Sequence, residues 1–170
     1  MRATTKRREQ KKIVIITGTP GVGKTTLATA LVKKRKYERV DLHKVYTQIS
    51  EKYDQQKQCY IIDQTKLVQL IEKRCKRTLT KGLVIDSHVT HFLPAAMVDL
   101  CVVLSCSDLK LLRQRLEKRK YAIVKVQENL EAEIMEVCLN EARERGHKIV
   151  RFDTAKMTMV KIVKELGKYL

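Results

Sequence analysis

The sequence predicts an α/β fold in which a parallel sheet is covered by helices on both faces. Three observations carry that prediction. Short apolar runs alternate with helix-like segments along the chain, a glycine-rich loop joins the first run to the first helix, and the third run ends on an aspartate. Such alternation places each helix on a right-handed crossover between parallel strands.

The elements follow in order. Ile13-Val14-Ile15-Ile16 reads as a short buried strand near 12–17, and Thr26 to Val32 opens a helix near 24–36. A second strand near 39–41 leads into a helix near 42–52, and another helix is expected near 64–77. The polar, glutamine-rich stretch from Tyr53 to Tyr60 carries no assignable chemistry. Leu83, Val84 and Ile85 make the third strand, near 83–86, and the run from Cys101 to Leu104 the fourth, near 100–105. Helices near 108–119 and 122–145, a strand near 148–152 and a helix near 156–169 complete the chain. In the last helix Val160, Val163, Leu166 and Leu170 form an expected core-facing stripe.

Gly18-Thr19-Pro20-Gly21-Val22-Gly23-Lys24-Thr25 fits the phosphate-binding pattern G-x-x-x-x-G-K-[ST] at every fixed position. Its neighbours supply the strand before and the helix after that the motif requires. The glycines let the backbone curl so that successive N–H groups face inward and bind an anion. The helix adds the positive end of its dipole. Lys24 is expected on the terminal phosphates, and the Thr25 hydroxyl in a magnesium shell completed by phosphate oxygens and waters. The motif therefore implies a bound nucleoside triphosphate.

The second constellation is Val84-Ile85-Asp86-Ser87-His88. A buried strand running into Asp86 delivers a carboxylate to the sheet edge where open parallel sheets bind ligands, and there it would orient magnesium or its waters. His88, two residues on, shares that face if the strand continues. It would orient or deprotonate a water, or steady a phosphate oxygen.

Composition bounds the rest. The 170 residues suit one domain, with no internal repeat or linker. The apolar runs are too short to span a membrane and no secretory leader is evident, so an intracellular protein is expected. Five cysteines without C-x-x-C spacing read as reduced, mostly buried thiols. A formal charge of +17 would attract polyanions. Arg2, Lys6, Arg7, Arg8, Lys11 and Lys12 crowd ahead of the first strand, so residues 1–11 read as a flexible basic arm before a domain over 12–170.

The segments at 18–26 and 84–88 resemble the adenylate kinase isoenzyme 6 family, the coilin-interacting nuclear ATPase proteins. The likeness continues through Asp99-Leu100-Cys101-Val102-Val103-Leu104, Arg115 to Tyr121 and Gln127 to Ile134, and so covers most of the chain beyond the arm. The resemblance implies a three-layer P-loop NTPase fold of five parallel strands in the order 2-3-1-4-5. It also implies a nucleotide-monophosphate segment near 41–62 and a lid near 118–129. It implies magnesium-dependent phosphoryl exchange between ATP and AMP to give ADP, and ATP hydrolysis. A role in small ribosomal subunit maturation through a small-subunit ribosomal protein, with rRNA nearby, is implied as well. A cytoplasmic monomer is expected, nuclear too if the cell has a nucleus. Gly18, Thr19, Gly21, Val22, Gly23, Lys24, Thr25 and Thr26 would hold ATP, with Lys24, Asp86, His88 and Arg119 catalytic and Thr25 and Asp86 bearing Mg2+.

On a helix over 108–119, Leu109, Leu112 and Leu116 make an apolar stripe, and Arg115 and Arg119 fall within roughly 60° of Leu112. A guanidinium there can grip two phosphate oxygens. The family pattern puts Arg119 at the lid arginine. Asp41-Leu42-His43-Lys44 departs from that pattern, because a lysine stands where an arginine would hold the AMP phosphate. Adenine is often read by the loop after the last strand, here near Phe152-Asp153-Thr154. Two other functions stay open: a nucleotide-switched assembly factor in which His88 serves water, and direct RNA binding.

Overall fold

The computed structural model describes residues 11–55 and 59–170, so the expected basic arm lies outside the described residues except for Lys11. In chain order the elements are β1 (Lys12–Thr17), α1 (Lys24–Arg35), β2 (Glu38–Asp41), α2 (Tyr46–Ile49), β3 (Ser50–Asp54) and β4 (Cys59–Ile62). There follow α3 (Gln64–Arg77), β5 (Gly82–Asp86), β6 (Leu100–Ser105), α4 (Leu109–Lys118), α5 (Ile123–Ile134), α6 (Val137–Glu144), β7 (Ile149–Asp153) and α7 (Met159–Leu166). Short 3-10 turns occupy Leu42–Val45, Thr90–Phe92 and Ala95–Met97.

Five strands form one parallel sheet in the order β2-β5-β1-β6-β7. Counted by their own sequence of appearance, that is the expected 2-3-1-4-5. The apolar alternation of the strands divides the core in two. Val14, Ile16, Val84, Val102 and Leu104 face a cluster with Leu27, Leu31, Leu112, Leu116 and Ile162, while Ile13, Ile15, Leu83, Ile85 and Val103 face Leu67, Ile71 and Leu139. Helices thus cover both faces. Each fully buried side chain of this size contributes roughly 1.5–3 kcal/mol relative to exposure.

Four expectations about the elements need correction. The region near 42–52 is not one helix, because a 3-10 turn and the single turn of α2 give way at Ser50 to a separate antiparallel pair, β3 with β4. Tyr53 and Tyr60 face each other across it, with ring centroids 5.0 Å apart, so an aromatic cross-strand pair supports the hairpin. The long helix near 122–145 is broken. Glu136 adopts φ 50°, a left-handed conformation, and ion-pairs with Arg151 at 2.6 Å, separating α5 from α6.

The stripe of the last helix is also rotated. Ile162 and Leu166 are fully buried with Val163 packed beside them, whereas Val160 is 80% exposed. Likewise Leu112 and Leu116 of α4 are buried and Leu109 is not. Among the described residues no helix is long and apolar enough to cross a membrane. Cys101 and Cys106 are buried and Cys75 and Cys138 half-buried, all four as free thiols.

Candidate functional site

The parallel register gathers the functional residues at the C-terminal edge of the sheet. Ile16 pairs with Asp86 and Asp86 with Asp41, so the start of the glycine loop and two carboxylates lie side by side. Gly18 has φ 134°, and a Cβ there would stand 2.2 Å from the carbonyl oxygen of Leu104. Gly21, at φ 92°, would place its Cβ 2.9 Å from Leu112. Only glycine meets both demands, and the loop therefore seats against β6 and α4.

Gly23, the N-cap of α1, is itself left-handed and offers no side-chain cap, so the first N–H groups of the helix remain for an anion. Val22 and Thr19 are buried and Thr25 and Thr26 are exposed on the first helical turn. Lys24 Nζ donates to the carbonyls of Gly18 at 2.5 Å and Thr19 at 3.0 Å, spanning its own loop. Burial lowers the Lys24 ammonium to about 8, with Cys138, Arg119, Asp86 and Glu133 as further charges bearing on it.

Asp86 is almost wholly buried and accepts from the Thr25 hydroxyl at 3.1 Å. The pair expected to carry a metal is thus brought together. Its chemistry suits magnesium, a hard ion that takes few protein oxygens and completes its shell with phosphate and water. A residue that the sequence reading missed completes the cluster. Arg39 Nε donates to Asp86 Oδ1 at 2.7 Å and its Nη2 to Oδ2 at 2.9 Å, to Asp41 at 3.2 Å and toward Thr25 Oγ1 at 3.5 Å. The available signal was the i, i+2 spacing of Arg39 and Asp41, which puts both on one face of β2.

His88 does not continue the strand. β5 ends at Asp86 and His88 lies on the turn beyond it, half-buried, yet close enough to Lys24 to feel its charge. Burial first, then Lys24, His43 and His91, lower its pKa to about 3. A neutral imidazole of that kind is a feeble base near neutrality, so the chemistry open to it is hydrogen bonding rather than removal of a proton. The Tyr46 hydroxyl lies 3.5 Å from His88 Nδ1 and hydrogen-bonds Ser87 Oγ, and the Tyr46 phenol is raised to about 12, chiefly by burial. Tyr46 also contacts the rings of His43 and Tyr60. Lys44, in the 3-10 turn over Leu42–Val45, is exposed.

The foot of the loop has its own brace, also unforeseen. His91 Nδ1 meets Thr17 Oγ1 at 2.9 Å, and His91 Nε2 meets Glu141 at 2.6 Å. Across the site, Arg119 ends α4, exposed and without a side-chain hydrogen bond among the described residues. Arg115 is engaged elsewhere, donating to Thr154 Oγ1 at 3.2 Å. Thr154 N–H and Oγ1 both donate to the Ser105 carbonyl, and Asp153 accepts from the N–H groups of Ser107 and Ala155, which fixes the loop after β7.

Residues 14–136 match the AAA domain family. The chain is 37% identical over 139 residues to an adenylate kinase isoenzyme 6 homolog of Dictyostelium discoideum, covering 80% of this chain and 77% of that protein. It is 38% identical over 133 residues to the homolog of Schizosaccharomyces pombe, covering 77% and 74%. Among solved structures, shikimate kinase from Acinetobacter baumannii, in complex with shikimate, superposes with a TM-score of 0.61 at 13% identity, covering 94% of this chain and 93% of that one. That last likeness is one of fold.

Proposed function

We propose, from the premise that the chain belongs to the adenylate kinase isoenzyme 6 family of P-loop nucleoside monophosphate kinases, that it transfers the terminal phosphoryl group of ATP to AMP. Two ADP result, and water in place of AMP gives ATP hydrolysis. The observation that carries this reading is the uncapped start of α1 beside Lys24, with Thr25 hydrogen-bonded to Asp86 at 3.1 Å. Loop N–H groups hold the phosphates of ATP, and Lys24 leaves its own carbonyl partners to meet the terminal oxygens. Magnesium, held by Thr25 and through water by Asp86, would supply charge neutralisation at those oxygens.

The acceptor belongs on the segment 41–62, whose His43 and Tyr46 rings lie against that of His88, which in turn feels the charge of Lys24. His88, neutral, positions the attacking oxygen. Arg119, on a lid over 118–129, closes on the transferring group; its charge already reaches Lys24. Phosphoryl transfer asks mainly for such positioning and charge. ADP release from ATP, measured with and without AMP, tests the reading. AMP-dependent turnover that Lys24→Met abolishes is expected, and turnover indifferent to AMP would overturn the kinase assignment.

A second reading is favoured by one observation, the exposed Lys44 in place of an arginine for the AMP phosphate. An ammonium grips a phosphate at one point where a guanidinium grips two oxygens. In that reading the chain is a nucleotide-switched assembly factor for the small ribosomal subunit, bound to a small-subunit ribosomal protein with rRNA nearby. The charge of +17 supports a polyanionic neighbour. Partner release that follows ATP hydrolysis, and fails in His88→Ala, is its expected mark.

A further inference from the structure

Arg39 lies on both residues assigned to the metal. Its fork meets the two oxygens of Asp86 at 2.7 and 2.9 Å, the bidentate arrangement that makes guanidinium–carboxylate pairs specific as well as strong. The same Nη2 that holds Asp86 Oδ2 reaches toward Thr25 Oγ1 at 3.5 Å. Asp86 is 1% exposed, so its charge is out of water and needs a cation at all times. A divalent ion held by Thr25 and, through its water, by Asp86 would stand within a few ångströms of the guanidinium, and that water would require the carboxylate lone pairs that Arg39 holds. Two cations so close repel strongly where solvent is scarce.

We propose that Arg39 is a built-in cation at the metal position, which the divalent ion must displace from Asp86 to bind. Asp41 supplies the seat for the displaced group. It lies two residues along the same strand face and already accepts from the same Nη2 at 3.2 Å. The arrangement weakens metal binding while giving metal-free nucleotide a positive charge near its terminal phosphates. Nucleotide binding in this protein therefore depends little on magnesium. The inference rests on the assignment of Thr25 and Asp86 as the metal-bearing pair.

Isothermal titration with the non-hydrolysable β,γ-imido analogue of ATP, once in EDTA and once in excess MgCl2, gives two dissociation constants. Their ratio measures what magnesium adds. Arg39→Gln is expected to raise the ratio about tenfold, equivalent to about 1.4 kcal/mol, because metal-free binding weakens and metal-loaded binding no longer meets a competitor. Arg39→Lys, which keeps the charge but holds one oxygen instead of two and guards against loss of folding, is expected to raise it less. Asp86→Asn added to Arg39→Gln is expected to cancel the gain. A ratio that responds to Asp86→Asn but stays at or below the wild-type value in both Arg39 variants overturns the proposal alone. A ratio indifferent to Asp86→Asn overturns the metal assignment, and the proposal with it.

Discussion

Burial outweighs every other influence on Lys24 and lowers its ammonium to about 8. A bound polyphosphate favours the charged form, so the nucleotide complex takes up a proton above that pH. Affinity for ATP is therefore fully present near neutrality and falls by at most about tenfold per pH unit above about 8. Titration calorimetry at pH 7 and pH 9 checks this, with Lys24→Met weak and alike at both. His88 works in the other direction. Its pKa lies near 3 in the folded chain against 6.5 when exposed, so between those values the unfolded chain binds the proton and the folded chain does not. The stability that the neutral ring contributes is complete above pH 6.5 and is lost as the pH falls toward 3, by at most about 1.4 kcal/mol per unit. Denaturant unfolding at pH 7 and pH 4.5 should show a smaller loss in His88→Asn than in the wild type. For Arg39 the sequence carries only its i, i+2 spacing with Asp41 and no sign of its partner Asp86. Its bond to Asp86 spans 47 positions and exists only because β2 and β5 pair in one parallel register.

Elements were legible where local pattern and tertiary environment agree. The strand, loop and helix at 12–35 and the strand ending at Asp86 are such cases, because β-branched runs and glycines there have one structural use. The hairpin β3–β4 was hidden because it stands apart from the sheet and its residues 51–53 are exposed, leaving no apolar alternation to read. The break between α5 and α6 was hidden because Glu136, not glycine, takes the left-handed conformation, so no turn signal interrupts the helical pattern. The packing of α4 against the loop yields an expectation at this scale. Leu112→Ala opens a buried site and should cost about 2–5 kcal/mol, and Gly21→Ala should cost roughly 1–3 kcal/mol through its left-handed backbone and its clash with Leu112. The double variant should cost less than the two separately, by about 0.5 kcal/mol or more, since removing Leu112 frees the space that the new Cβ needs. Additive costs in denaturant unfolding would show that α4 does not brace the loop.

Across the whole molecule the charges do not share one task. Arg39, Lys24 and Arg119 serve a cluster at the C-terminal sheet edge, whereas Lys11, Lys12, Lys76 and Lys81 line a cavity of about 1430 Å³ that also takes in Leu170 and the start of β1, at the opposite edge. The surplus of basic over acidic residues, +17 in all, exceeds what a phosphate site needs. In the assembly-factor reading, a long polyanion would meet surfaces other than the nucleotide site, and the two should be separable. Each phosphate neutralised by a basic side chain releases condensed counterions, so affinity for single-stranded RNA falls with salt in proportion to the contacts made. Residues 1–10 contribute Arg2, Lys6, Arg7 and Arg8. Deleting residues 1–10 should lower the slope of log affinity against log salt for an rRNA fragment by up to about 3. ADP formation from ATP and AMP should stay as in the full chain, because β1 and the loop begin beyond the deletion. A slope unchanged by the deletion would move the polyanion surface to the folded domain, where charge reversal at Lys76 and Lys81 becomes the next measurement.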